Sequence, residues 1–182
     1  MTEFAEDAVG DIRLIVHDYR VARASTGSIT VGRFGLAGQG FGDRATQFAV
    51  ANIVAVIEHY AERILLDADS DPKKVKTWPD KVKAWQTIFD TDIEDPQICP
   101  SFMPMRGYYE VRNAIMHRRG ELTDSQRKGL VYERLEAANV ERIGFYVVVT
   151  QSTVSDCADV CLRCVEELDA TVQGTCSNRG IT

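Results

Sequence analysis

Apolar residues recur at three- and four-residue steps along most of the chain, and that period predicts helices. From Thr2 to about Ser25, the positions Phe4, Ala8, Ile12, Ile15, Tyr19 and Ala22 form one stripe, with Glu3, Asp7, Asp11 and Arg20 between them. Asp43 to Asp67 reads "DRATQFAVANIVAVIEHYAERILLD". Its apolar face is too broad for a surface helix, so it is expected at the centre of a bundle, with Asp43 as its N-cap. Pro79 suits the first turn of a short helix ending at Phe89. A further helix opens at Pro104 or Met105 and stops at His117 or Arg118, before Gly120. Thr123 is expected to cap another helix over "DSQRKGLVYERLEAAN", and Ser152 or Ser155 to begin a last one reaching about Val172.

Strand character is confined to "RIGFYVVVT", a β-branched and aromatic run near 141–150. The loops "DADSDPKKVKTWPD" and "DTDIEDPQICPSFMP" separate the helices, the second punctuated by three of the five prolines. Six of the thirteen glycines fall in 27–42, which shows no helical period and is read as a flexible loop. Residues 173–182 are read as a frayed tail. The expected fold is mainly α: a single domain over 1–182, an up-and-down bundle of four to five main helices with one short strand or small hairpin.

The 182 residues and 45% hydrophobic content suffice for one sizeable core. No apolar run approaches the ~20 residues a membrane helix needs, and "MTEFAEDAVGD" lacks the basic and apolar regions of a secretory signal. A cytoplasmic protein is expected. The net charge of −6 argues against nonspecific coating of nucleic acid. Between Arg106 and Lys128, however, six basic residues stand against three acidic ones, so this segment is +3 and the remainder −9.

Several candidate chemistries lose to plainer readings. Cys157, Cys161 and Cys164 have a C-x3-C-x2-C spacing, but on a helix they fall within roughly 60° of one another. That face also carries Val154, Leu162, Val165 and Leu168, so core packing as small hydrophobes is expected. The glycine-rich stretch lacks the strand and lysine of a phosphate-cradling loop. Asp90, Asp92, Glu94 and Asp95 lack the glycine and terminal glutamate of a calcium loop. No metal and no cofactor are expected. His17 and His59 lie singly on long helices; a ligand pocket near His59 and Tyr60 is a minor alternative.

The segment "YYEVRNAIMHRRGELTD", Tyr108 to Asp124, is different. Its core positions Tyr108, Val111, Ile115 and Leu122 account for folding, and Arg112, Asn113 and His117 are not needed for it. Asn113 and His117 are four apart and share a helix face. Arg112 and His117 are five apart, about 140° around an ideal helix, so they do not stack within one chain. A second copy packed across a two-fold axis would gather two of each.

Arg112-Asn113-Ala114-Ile115-Met116-His117 resembles the R-N-x-x-x-H signature of HEPN domains. The order of elements is also similar over residues 43–172: a long apolar helix before the motif, a glycine after the histidine, and a late strand leading into a closing helix. The branch it resembles is associated with RNA-processing and abortive-infection proteins. The resemblance implies a symmetric homodimer with paired motifs facing a shared cleft, and metal-independent endoribonuclease activity in a toxin or phage-defence effector that leaves 2′,3′-cyclic phosphate ends. An antitoxin or other partner protein is a further implied partner. Arg112, Asn113 and His117 would be the catalytic residues, with Arg106, Arg118, Arg119, Arg127 and Lys128 as RNA-positioning contacts. Some family toxins have a tyrosine two residues after the histidine; Arg119 stands there, so regulation through that tyrosine does not carry over. The family also contains noncatalytic members, and the alternative is a dimerisation and binding module for a partner protein or nucleotide.

Overall fold

A computed structural model describes residues 1–25, 43–68, 71 and 75–178, with side chains as far as 174. The expected glycine-rich loop at 27–42 lies outside the described residues. The architecture is a helical bundle with one small antiparallel hairpin, in the order α1 (Glu3–Ser25), α2 (Arg44–Asp67), α3 (Trp78–Phe89), α4 (Phe102–Arg118), α5 (Val131–Ala137), β1 (Arg142–Ile143), β2 (Tyr146–Val147) and α6 (Gln151–Asn178).

Helix α2 is the central member and packs against α1, α3, α4 and α6. Its N-terminus is fixed by Asp43, whose side chain accepts from the Thr46 backbone N–H at 2.9 Å; such a cap contributes ~1 kcal/mol. Ile53, Val54, Ile57, Ala61 and Leu65 are wholly buried. Each large aliphatic side chain removed from water in this way stabilises by roughly 1.5–3 kcal/mol. Thr77 and Asp80 form a capping box at the start of α3, with Pro79 in the first turn. Asp169 on α6 accepts from the Thr2 backbone N–H at 3.1 Å and holds α1 against the closing helix.

The structure departs from the sequence expectations at three places. Helix α4 begins at Phe102 rather than at Pro104 or Met105, because Pro104 is tolerated within a first turn whose N–H groups need no helical partner. The segment after Thr123 is not one helix. Residues 124–127 make a single turn, Gly129 takes φ 72°, and the helix resumes only at Val131. The strand run forms the small hairpin expected there, with Arg142 opposite Val147 and Ile143 opposite Tyr146, and Gly144 at φ 61° makes the turn. Helix α6 starts earlier, where Thr150 and Thr153 bond reciprocally through their side chains and backbone N–H groups. It also runs on to Asn178, so 173–178 is helix rather than frayed tail.

The contact between α4 and α5 shapes an open polar groove. At Gly107 an added Cβ would overlap the Arg134 carbonyl oxygen and the Ala138 Cβ. The absence of a side chain there lets α5 lie directly on α4. At its other end α4 stops with Arg119 in the left-handed region (φ 54°) followed by Gly120 (φ 95°). The Arg119 N–H reaches back to the Ile115 carbonyl at 3.2 Å, the five-to-one bond of an αL ending, and the Gly120 N–H adds a bond to the Ala114 carbonyl at 2.9 Å.

Candidate functional site

The polar face of α4, the turn at 123–128 and the start of α5 enclose an open groove of about 690 Å³. Arg112, Asn113, His117 and Lys128 all line it, together with Tyr109, Glu110, Gln126 and Arg134. Four of the eight residues expected at a site therefore meet in one place. Arg112 and His117 reach the same groove although five positions separate them, because the 123–130 segment curves around α4.

The far wall is built on a buried carboxylate. Glu110 is 6% exposed. It accepts from Gln126 Nε2 at 2.9 Å and from Arg134 Nη1 at 3.0 Å. Gln126 Nε2 also donates to the Glu110 carbonyl at 2.9 Å, while its Oε1 accepts from the Thr123 backbone N–H at 3.1 Å. Charge-assisted bonds of this kind are stronger than neutral ones. They lock the turn, and with it Lys128, at a fixed position beside α4. Close approach at Gly107 brings Arg134 within reach of Glu110.

The near wall is built on Arg112. Its Nη1 donates to Asn113 Oδ1 at 2.9 Å, and its Nε lies 3.8 Å from Glu58 Oε2 on α2. Burial raises the Glu58 carboxyl above its ordinary value, while Arg112 and Lys81 pull it the other way. Asn113 thus orients the arginine in the isolated chain, rather than the histidine with which it shares a face. His117 is exposed at the groove mouth, one position before the end of α4.

The remaining basic residues lie outside the groove. Arg106 is 4% exposed and sits in the core. Its guanidinium lies 5.9 Å from the ring centroids of both Phe102 and Tyr109 and 3.9 Å from Glu94. A phosphate contact for Arg106 is corrected on that ground, since the group faces no solvent. Arg127 does not line the groove; it is held by Glu121, Asp124 and the Leu122 carbonyl and stacks on Phe145. Arg118 and Arg119 are exposed at the end of α4, outside the groove.

Sequence reasoning misses Glu58 and Arg134. Glu58 has a weak signal, an acid within the apolar run "VIEHYAERIL". Arg134 has none, because "YERLEAAN" reads as a solvated surface until α5 is seen lying on Gly107. Cys157, Cys161 and Cys164 are wholly buried, as their apolar face predicts. Among the described residues no three His, Cys, Asp or Glu side chains are grouped to hold a metal ion, and no helix is long and apolar enough to cross a membrane. A smaller cavity of about 220 Å³ between α1 and α2 includes His59, Tyr60 and the Arg63–Asp7 pair. No family model, no curated protein and no solved structure matches the chain.

Proposed function

We propose that this chain is a HEPN-like, metal-independent endoribonuclease that acts as a homodimer, of the kind that serves as a toxin or phage-defence effector. The observation that carries the reading is the convergence of Arg112, Asn113 and His117, with Lys128, on one open groove. Imidazole titrates near neutral pH and suits proton transfer. In the reaction the 2′-oxygen of the RNA attacks the adjacent phosphorus while the P–O5′ bond breaks. The 2′-hydroxyl gives up its proton to one imidazole, and the 5′-oxygen takes a proton from an imidazolium. The products are a 2′,3′-cyclic phosphate and a 5′-hydroxyl. Arg112 would offer a permanent, bidentate cation to the charge that grows on the phosphorane, and Lys128 would hold a neighbouring phosphate.

A second copy supplies the second histidine that the two proton transfers call for. Met116 on α4 and Leu130 at the groove rim are both large apolar side chains half exposed to solvent, and they fit such a contact. The alternative is a noncatalytic dimerisation and binding module, favoured by the engagement of Arg112 with Glu58 and Asn113 in the single chain.

The test is RNA cleavage in EDTA by the purified protein, with His117→Ala beside it and the product ends analysed. The nuclease reading expects cyclic phosphate ends, with the rate lost by about 10²–10⁴-fold in the variant. Absence of turnover on several RNAs by a folded dimer would move the assignment to the binding module.

A further inference from the structure

We infer that the tip of the β1–β2 hairpin is a stacking platform for single-stranded RNA, continuous with the end of the helix that carries His117. The inference rests on the ribonuclease reading and gives that site its substrate class: an unpaired strand several nucleotides long rather than a duplex.

Three large side chains stand out from this short hairpin, with Ile143 54%, Phe145 47% and Tyr146 37% exposed. The hairpin is not a free arm. The Leu122 N–H donates to the Phe145 carbonyl at 2.8 Å, and the Val147 N–H donates to the Gly120 carbonyl at 3.0 Å. Residues 120–122 are the first after the left-handed ending of α4 at Arg119, so the tip is fixed to the chain three residues beyond His117. The exposed Arg118 and Arg119 lie between them in sequence.

Phe145 is backed from within. The Arg127 guanidinium lies 4.1 Å from its ring centroid. That guanidinium is itself held by the Leu122 carbonyl at 3.1 Å, by Asp124 at 3.3 Å and by Glu121. An aromatic ring stacked on an immobilised arginine is a rigid, low-entropy surface, suited to receiving the flat face of a base. Beside it, Arg142 stacks on Tyr132 at 4.3 Å.

Charge selects RNA over an apolar protein surface as the occupant. Residues 118–128 and 141–146 hold five basic side chains (Arg118, Arg119, Arg127, Lys128, Arg142) against three acidic ones (Glu121, Asp124, Glu141). The patch is therefore +2 on a chain of −6, leaving −8 elsewhere. Aromatic rings among cations bind strands whose bases are unstacked and free to splay, whereas a duplex keeps its bases inside.

The experiment measures fluorescence anisotropy of labelled oligouridylates of about 4 and about 12 nucleotides, a span set by known single-strand site sizes. They are titrated with full-length protein carrying His117→Ala so that the RNA stays intact, alone and combined with Phe145→Leu or Phe145→Tyr. Phe145→Leu is expected to weaken binding of the longer strand about tenfold and to leave the shorter one unchanged, while Phe145→Tyr keeps the affinity. Equal loss at both lengths, or none, overturns the platform while leaving RNA binding in the groove intact. Unchanged RNA affinity with an altered oligomeric state in light scattering overturns it in favour of a protein contact. If the folded protein, with His117 present or replaced, neither binds nor cuts RNA, the ribonuclease reading falls and the platform with it.

Discussion

Helices α4 and α6 each carry a row of chemically capable side chains at helical spacing, and the two rows have opposite fates. On α6, Cys157, Cys161 and Cys164 are wholly buried. Burial pushes the Cys157 and Cys164 thiols well above their ordinary value, and neighbouring thiols add to the effect. A thiol kept neutral in apolar surroundings is neither a nucleophile nor a metal ligand. On α4, Arg112, Asn113 and His117 open onto a groove whose other wall is polar and hydrogen-bonded. Residue type alone favours the cysteines, which stand in a C-x3-C-x2-C spacing. What the face is packed against decides between them, and that depends on the rest of the chain.

The sharpest way to break this contrast is to swap its ends. His117→Ala is expected to slow RNA cleavage by about 10²–10⁴-fold. It should leave the thermal midpoint within about 2 °C, as befits an exposed surface position with ΔΔG under ~0.5 kcal/mol. A large drop in midpoint would mean that the histidine belongs to the fold. Next in size is Gly107→Ala, which acts on the geometry of the groove. Overlap with the backbone of α5 must be relieved by shifting that helix, a strain of typically about 1–3 kcal/mol. Chemical denaturation should show that loss, with slower cleavage in the part that remains folded. Full stability in Gly107→Ala would show that the groove does not depend on the close approach.

Much of the fold is legible in the sequence because its signals are local. The stripe of α1, the apolar breadth of α2, the Asp43 cap and the stop of α4 before Gly120 are each written within a few residues. The errors come from competition between neighbours. Thr123 does bond to Gln126 as a cap would, yet Gln126 spends its amide on Glu110, and Gly129 ends the turn before a helix can propagate. Ser152 and Ser155 have the chemistry of caps for α6, and Thr150 takes that role because Thr153 answers it. For the site, the sequence locates Arg112, Asn113, His117 and Lys128 but not what holds them. Arg134 reaches the groove, and Glu58 reaches Arg112, through packing between distant segments, and charge counting alone places Arg106 outside when it is inside.

The α6 side of the contrast is tested by Cys161→Ser. It places a hydroxyl at a wholly buried position beside the Cys157 thiol, and a buried hydroxyl that lacks a good partner costs about 1–3 kcal/mol. RNA cleavage per folded molecule should not change. In the native wild-type protein Cys99, Cys157, Cys161 and Cys164 should resist an aromatic disulfide reagent until denaturant is added. Rapid labelling of all four under native conditions would show that α6 opens readily and that its thiols are available for chemistry.

The smallest effect probes how firmly Arg112 is anchored. Burial is the largest influence on Glu58 and favours the protonated acid, with Glu62 adding to it, while the Arg112 guanidinium 3.8 Å away and then Lys81 favour the anion. With burial ahead, the folded chain holds this proton more tightly than the unfolded chain does. The associated stability is then full below the ordinary carboxylate range and is lost as pH rises through the raised folded value. Asp43 and Asp80 have lowered values and act in the opposite direction, so the informative quantity is the difference between wild type and Glu58→Gln across about pH 4–7. Wild type should lose stability relative to Glu58→Gln over that interval, measured by thermal midpoint. The opposite slope would mean that the ion pair outweighs burial and that Arg112 is clamped to α2. An arginine clamped in that way is less able to turn toward a phosphate, so the sign of this small slope bears directly on whether the groove is built to react or only to bind.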